Sequence, residues 1–476
     1  MNSARHRILQ APLAPAVLGF GLPLAVGMAL QVTFNLVDAY LVSRLGQEQA
    51  GAALGAIGIC DQLAAIGSII SYGYTTAAAT MVSHREGSGD PVGARSIAYQ
   101  STLVVIGLGL LFALVGLIGS HWLMADVMGA KGLVLTLGAD YLRVIVTGNV
   151  TIFLLLHLTS LQRALGSSKT PILLLVASNA LNLVFAVLLI FGSGHAPPVF
   201  AWGPPVAASL HVPRMGLLGA AWATVLARLL VLVPVFLLGV YRFGFFRKET
   251  RGPFSGKLER ELWHLAWPAS TQLVVRVAAM LAIQSLVAHW FTTSSDQTAT
   301  TALGVVFRLE TMALFVGLGW GSAAQTFVGQ NLGAQNPVRA KRSGWVAAGF
   351  SCSMMALLTA VYVLFGRPIV RFFAPDPAVV RLAFGYMQIV GPSYVGLGLA
   401  VALGSALQAA KRPRQALLLD MMILFGIQLP AAVAAAAWGS GPMDIYWVVS
   451  GAYFGFAIVY AGAYYRSRFE GVPTES

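Results

Sequence analysis

The chain has 476 residues, 57% hydrophobic and only 10% charged, with a mean hydropathy of +0.75. A soluble domain carries roughly 25% charged residues, so a soluble enzyme of this length is excluded, as is disorder, which requires low hydrophobicity. The 51 Gly follow no period and the two Cys, Cys60 and Cys352, lie far apart in apolar stretches, which excludes collagen, disulfide scaffolds and metal-ligand spacing. The net charge of +13 is either a nucleic-acid signal or the Lys/Arg bias of a membrane protein.

A bilayer-spanning helix needs about 20 mostly apolar residues. Twelve runs qualify, near 13–43, 52–82, 97–119, 133–160, 171–192, 215–240, 262–292, 299–330, 343–365, 382–409, 415–438 and 444–465. The chain is therefore expected to be an all-α polytopic membrane protein. The first run follows a basic flank (Arg5, His6, Arg7), is too long for a signal-peptide core and precedes no cleavage site, so it is expected to be a retained helix. The connection 193–214 is rich in Gly and Pro, and 241–261 is the most charged stretch and reads as a linker. Of the 30 Lys and Arg, 20 fall in the termini and the even-to-odd connections, six on the other side, and four (Arg143, Arg228, Arg276, Arg308) inside runs. That bias predicts both termini in the cytoplasm and accounts for the net charge without nucleic acid.

The chain repeats itself. Residues 77–95 and 323–341 share Ala77, Ala78, Thr80, Val82, Gly87, Pro91, Val92 and Ala94 at an offset of 246. Ala164-Leu165 and Lys169 to Pro171 recur as Ala406-Leu407 and Lys411 to Pro413 at 242, and Pro23 recurs as Pro268. Six runs per copy is an even number, so both copies enter the membrane from one side. This predicts two six-helix lobes, 1–245 and 246–476, related by a pseudo-two-fold axis along the membrane normal, as in alternating-access transporters.

Several motifs then stand in order along the chain. Phe34 to Asp38 followed by Arg44-Leu45-Gly46 is similar to an F-N-x-V-D…R-L-G opening. Gly329 to Asn336 is similar to G-Q-N-x-G-A-x-N, and Leu165 to Pro171 to L-G-x-x-K-T-P. Asn182 and Gly219 to Thr224 fit the fifth and sixth helices of the same pattern. On these residues the chain resembles the multidrug and toxic compound extrusion (MATE) family over essentially its whole length. The resemblance implies export of organic, often cationic, compounds against a proton or sodium gradient, in the cytoplasmic (inner) membrane of a bacterium. It implies no enzyme and no cofactor beyond the coupling ion.

An ionisable group at membrane depth costs several kcal/mol unless compensated, and is a functional candidate by default. Asp38 is the first. The resemblance places the family's N-lobe coupling acid here, and an acid held away from bulk water can take and release a proton. The competing reading is a helix-end acid facing water. Asn179 and Asn182, three apart on one helix face, and Thr224 on the sixth run are expected to surround Asp38; helix–helix hydrogen bonding is the alternative use of such residues. Repeat mates of Asp38 and Asn182 are Ile283 and Leu424, so this polar cluster is expected in the N-terminal half only.

The sequence also departs from the family. Where many members carry a second acid after the fifth-helix Asn, Ala186 stands; where another branch has Glu on helix 7, Arg276 stands; and Gly396–Ala400 offers no acid on helix 10. A sodium site is short of oxygen ligands, which favours protons over sodium as the coupling ion. Gln31, Phe34, Thr159, Arg276, Arg308 and Glu310 are candidate cavity residues. Arg308 and Glu310 lie two apart on different sides of their helix, so Glu310 is expected to pair with Arg276. Asp61, Asp140 and Asp420 lie nearer run ends, where water is the plain explanation. His157 and His289 read as structural histidines. Met28, Tyr40, Phe153, Met280, Trp290, Met312, Phe315 and Trp320 are aromatic or flexible apolar groups suited to varied cations, most of which simply pack.

The partners expected are small organic drug-like molecules and the lipid bilayer, with the chain acting as a monomer. A flippase for lipid-linked oligosaccharides is the alternative cargo reading, supported by the four buried arginines. A major-facilitator protein would carry a G-x-x-x-D-R-x-G-R-(R/K) loop after its second helix, which Ser83–Arg95 does not match, and no HExxH, GxSxG or GxxxxGK(S/T) motif occurs.

Overall fold

The computed structural model describes residues 2–45, 47–293, 296–439 and 441–469; side chains of 2–4, 33–36, 39 and 47–50 are outside the description. Among the described residues there are helices and no strands, and twelve helical spans are long and apolar enough to cross a membrane. Spans 1 to 6 are Leu13–Ser43, Gln47–Ser88, Pro91–Val127, Gly132–Ala164, Lys169–Phe191 and Leu217–Phe243. Spans 7 to 12 are Gly256–Phe291, Thr298–Gly333, Pro337–Phe373, Pro377–Ala409, Pro413–Trp438 and Pro442–Arg466.

Several spans are longer than the apolar runs suggest. Span 9 has 37 residues, about 55 Å at 1.5 Å per residue, and so projects well beyond a hydrocarbon core of about 30 Å. A short helix, Asn2–Leu9, precedes span 1, and the 193–214 connection folds into a 3-10 turn and a helix, Gly203–Ser209. Spans 4 and 10 are each interrupted midway, at Gly148 and at Gly391–Ser393.

The repeated motif has a local physical cause. Gly89 and its mate Gln335 both adopt left-handed backbone, with φ of 82° and 55°. The next residue caps the following span: Asp90 Oδ1 accepts from the Gly93 amide at 2.7 Å, and Asn336 Oδ1 from the Arg339 amide at 3.0 Å. Pro91 and Pro337 then occupy the first helical position, where a missing N–H costs nothing.

Two lobes result. Contacts between them gather at the face carrying the termini and most of the Lys and Arg, hereafter the basic face. Span 2 meets span 8 through glycines: Gly87 lies on the Gln330 backbone, Gly329 on Ser83 and Gly333 on the His84 carbonyl. Small residues let the helix backbones approach closely. The seam also carries hydrogen bonds from Gln330 Nε2 to the Ala164 carbonyl (2.7 Å), from Gln325 Nε2 to the Thr76 carbonyl (2.9 Å), and between His84 Nε2 and the Ala409 carbonyl (2.7 Å). These contacts join the lobes at the basic face.

Span 1 straddles the two lobes. Its first half packs on span 8 of the C lobe, with Gly21 on Trp320 and Ala25 against Gly319. Its second half, with Leu41 and Val42, joins an N-lobe core that includes Ala186, Ile190 and Ala220. Pro23 lies in this helix, where it removes one backbone hydrogen bond and permits a bend.

Candidate functional site

The N-lobe site is assembled by spans 1, 5 and 6. Asn182 Nδ2 donates to Asp38 Oδ2 at 2.6 Å, and Thr224 Oγ1 donates to Asn182 Oδ1 at 3.4 Å while also bonding its own helix at the Ala220 carbonyl (3.0 Å). Asn182 is buried and Asp38 half-buried. Asn182 is thus oriented by Thr224, and its amide N–H faces the carboxylate. Arg228, one turn beyond Thr224, places its charge within reach of both Asp38 and Asp61. Asn179 is half-buried, and its side chain forms no hydrogen bond among the described residues. Among the described residues, the arrangement gives the carboxylate one side-chain donor and a nearby cation, with lone pairs left over for a proton or a positively charged group.

The C lobe holds a second polar assembly, built from residues other than Ile283 and Leu424, the repeat mates of Asp38 and Asn182. A cavity of about 90 Å³ lies among spans 7, 8, 10, 11 and 12, and Arg276, Glu310, Tyr386 and Tyr453 all line it. Arg276 and Glu310 nevertheless do not pair. Arg276 forms a two-pronged ion pair with Asp420, Nε to Oδ2 at 2.5 Å and Nη2 to Oδ1 at 3.2 Å. Glu310 accepts hydrogen bonds from the hydroxyls of Tyr386 and Tyr453. Charge complementarity alone pairs Glu310 with an arginine, whereas two phenols supply the donors that a buried carboxylate requires.

Asp420 corrects the expectation of a wetted helix end: it is fully buried and also accepts from Tyr460 Oη at 2.6 Å. The chain of bonds runs on from Gln272 Nε2 to Tyr460 Oη (3.0 Å) and from Gln408 Nε2 to Gln272 Oε1 (2.7 Å). The signal for this assembly was present in span 12, where Tyr446, Tyr453, Tyr460 and Tyr464 recur at intervals of seven, seven and four and so share one face.

Other cavity candidates scatter. Arg308 is exposed and does not line the cavity that holds Glu310. Thr159 is fully buried and bonds back to the Leu155 and Leu156 carbonyls. Gln31 is half-buried on span 1, and the Phe34 side chain lies outside the described residues. Met280 lines the C-lobe cavity, while Phe153 and Trp320 are core. His157 is a satisfied structural histidine between Thr75 (3.3 Å) and Ser101 (3.1 Å); His289 is exposed beside Trp290.

The model of the MatE family matches residues 23–188 and 272–434, the two repeat copies. The chain belongs to the MatE family. It is similar to a protein of Shewanella oneidensis named FAD transporter, 28% identical over 434 residues that cover 90% of this chain and 89% of the relative. It is likewise similar to the probable multidrug resistance protein YpnP of Bacillus subtilis, 27% identical over 427 residues, 88% and 87% of the two chains. Its fold matches that of an outward-facing multidrug resistance MATE transporter with a TM-score of 0.85 at 19% identity, over 96% of each chain. This MatE member is therefore an integral membrane transporter of the MATE efflux type, and not an enzyme.

Proposed function

We propose that this MatE protein exports small organic, often cationic, compounds from the cytoplasm across a bacterial inner membrane in exchange for protons carried by Asp38. The observation that carries the reading is the 2.6 Å bond from Asn182 to the Asp38 carboxylate, on the half of span 1 that packs in the N lobe. With the cleft open to the outside, protonation of Asp38 weakens its hold on Asn182 and on any bound cation, and cargo leaves. Loss of the proton toward the cytoplasm restores the carboxylate for new cargo. Because the other half of span 1 packs on the C lobe, a change at Asp38 bears on both lobes, and Pro23 supplies the bend. Sodium finds one carboxylate and two neutral side chains in this cluster, fewer charged oxygens than a hard cation prefers.

A drug-efflux assay of Asp38→Asn in a pump-deficient host, with and without a proton uncoupler and with and without sodium, tests the proposal. Export by the parent chain should collapse with the uncoupler, persist without sodium, and be absent in the variant. Unchanged export by Asp38→Asn would remove the mechanism.

A second reading concerns cargo. The relative named FAD transporter favours a phosphate-bearing aromatic substrate, and competition between a cationic dye and FAD for uptake into inverted vesicles separates the two.

A further inference from the structure

A large cavity that contains none of the Asp38 cluster lies at the basic face, beside the lobe seam. It has a volume of about 620 Å³ and is walled by the Asn2–Leu9 helix, the start of span 1, the connection between spans 4 and 5, the end of span 6 and span 8. Arg7, Lys169 and Arg242 line it, together with the first turn of span 5 at Ser168 and Thr170, and its apolar wall includes Phe20, Phe243 and Phe327. No acid lines it among the described residues, and none of the three cations forms an ion pair there.

The internal repeat provides a comparison within one molecule. In the C lobe, Lys411, the mate of Lys169, is neutralised by Glu261 at 2.8 Å. At the offset of 245 that relates Pro23 to Pro268, Glu261 corresponds to Ala16. Ala16 lines the cavity. The N lobe therefore has no acid where the C lobe has Glu261, and carries the lysine together with two arginines about the cavity. Three uncompensated cations about a cavity with an aromatic wall are matched by a doubly charged anion, and arginine forks suit phosphate oxygens in particular.

We propose that this cavity is a binding site for a phosphate-bearing anion, held by Lys169, Arg7 and Arg242 in the place that Glu261 fills in the other lobe. The anion is either the headgroup of an anionic phospholipid, whose tails would lie along the apolar wall, or a soluble phosphate compound of the cytoplasm. The site is independent of the coupling role of Asp38 and stands whether or not that role holds.

Two probes distinguish the sources. The purified full chain is titrated with inorganic pyrophosphate in detergent, and is separately placed in nanodiscs of phosphatidylcholine with or without phosphatidylglycerol, with thermal stabilisation and retained lipid as readouts. Stabilisation by pyrophosphate supports a soluble phosphate; stabilisation and retention of phosphatidylglycerol alone support a lipid headgroup. In either arm, Ala16→Glu, which restores the C-lobe arrangement and pairs Lys169 internally, should weaken binding about tenfold or more. The triple variant Arg7→Gln, Lys169→Gln, Arg242→Gln should abolish it; if that variant fails to fold, Ala16→Glu, which removes no side chain, decides alone. Lys411→Gln, with the same change in net charge as Ala16→Glu, should leave binding unchanged. No response to either probe, equal binding by Ala16→Glu and the parent, or an equal loss in Lys411→Gln would overturn the proposal.

Discussion

Gly87 of span 2 lies directly on the backbone of Gln330 in span 8, and the repeat relates this contact to its own reverse: Gly333, the mate of Gly87, lies on His84, the mate of Gln330. A contact whose two sides exchange under the repeat sits on a pseudo-two-fold axis. The duplicated motif is thus one point at which the copies touch, and it lies at the basic face. A methyl group at Gly87 would collide with the Gln330 carbonyl, and backbone cannot give way as a side chain can.

Gly87→Val is accordingly expected to weaken the closed seam by about 1–3 kcal/mol, the usual cost of overpacking, without disturbing either lobe alone. In the proposed exchange cycle this face must close, so export should fall several-fold. A cysteine introduced at Ser83, with Cys60 and Cys352 replaced by serine, should react faster with a membrane-impermeant thiol reagent applied from the basic face. Unchanged labelling in Gly87→Val would show that the seam does not depend on this approach.

How far the sequence spoke depended on the kind of interaction. Twelve spans were legible because long apolar runs have a single use in so uncharged a chain. The seam was half legible: the repeat was visible at Gly87 and Gly333, but nothing in one-dimensional sequence says that repeat copies meet. Asp38, Asn182 and Thr224 come together as expected because polar side chains on apolar helices must find one another. The partner of Glu310 is not legible, because charge arithmetic ranks Arg276 above a tyrosine, whereas geometry gives Arg276 to Asp420 and leaves the phenols of spans 10 and 12 for Glu310. A fourfold tyrosine face on span 12 is the pattern that would have corrected this.

The Arg276–Asp420 pair yields a thermodynamic test. Removing one member of a buried pair leaves an uncompensated charge, which typically costs about 3–5 kcal/mol, whereas replacing both by apolar groups is often close to neutral. Arg276→Met and Asp420→Leu should each lower the melting temperature in detergent markedly, and the double variant should recover most of the loss. Tyr460 and Gln272 bond to the same network, so recovery should be incomplete, because their polar atoms lose a partner. Strictly additive losses would mean that the two residues do not act as a pair.

Glu310 offers the sharper discrimination, because its two donors are neutral. A carboxylate accepts from Tyr386 and Tyr453 at once, while the amide introduced by Glu310→Gln has only one accepting oxygen and turns an N–H₂ toward the second phenol. Glu310→Gln should therefore destabilise the C lobe by about 1–3 kcal/mol, the cost of one buried unsatisfied group. Tyr453→Phe alone should cost less, since the carboxylate keeps Tyr386 and simply loses one donor. Combining Glu310→Gln with Tyr453→Phe takes away the phenol oxygen that could accept from that N–H₂, so the double variant should melt no higher than Glu310→Gln alone, which thermal melting of the two single variants and the double variant reads directly. If Glu310→Gln melts with the parent chain, the carboxyl group carries a proton there and donates to one of the phenols, and the hydrogen-bond directions assigned above are reversed at that oxygen.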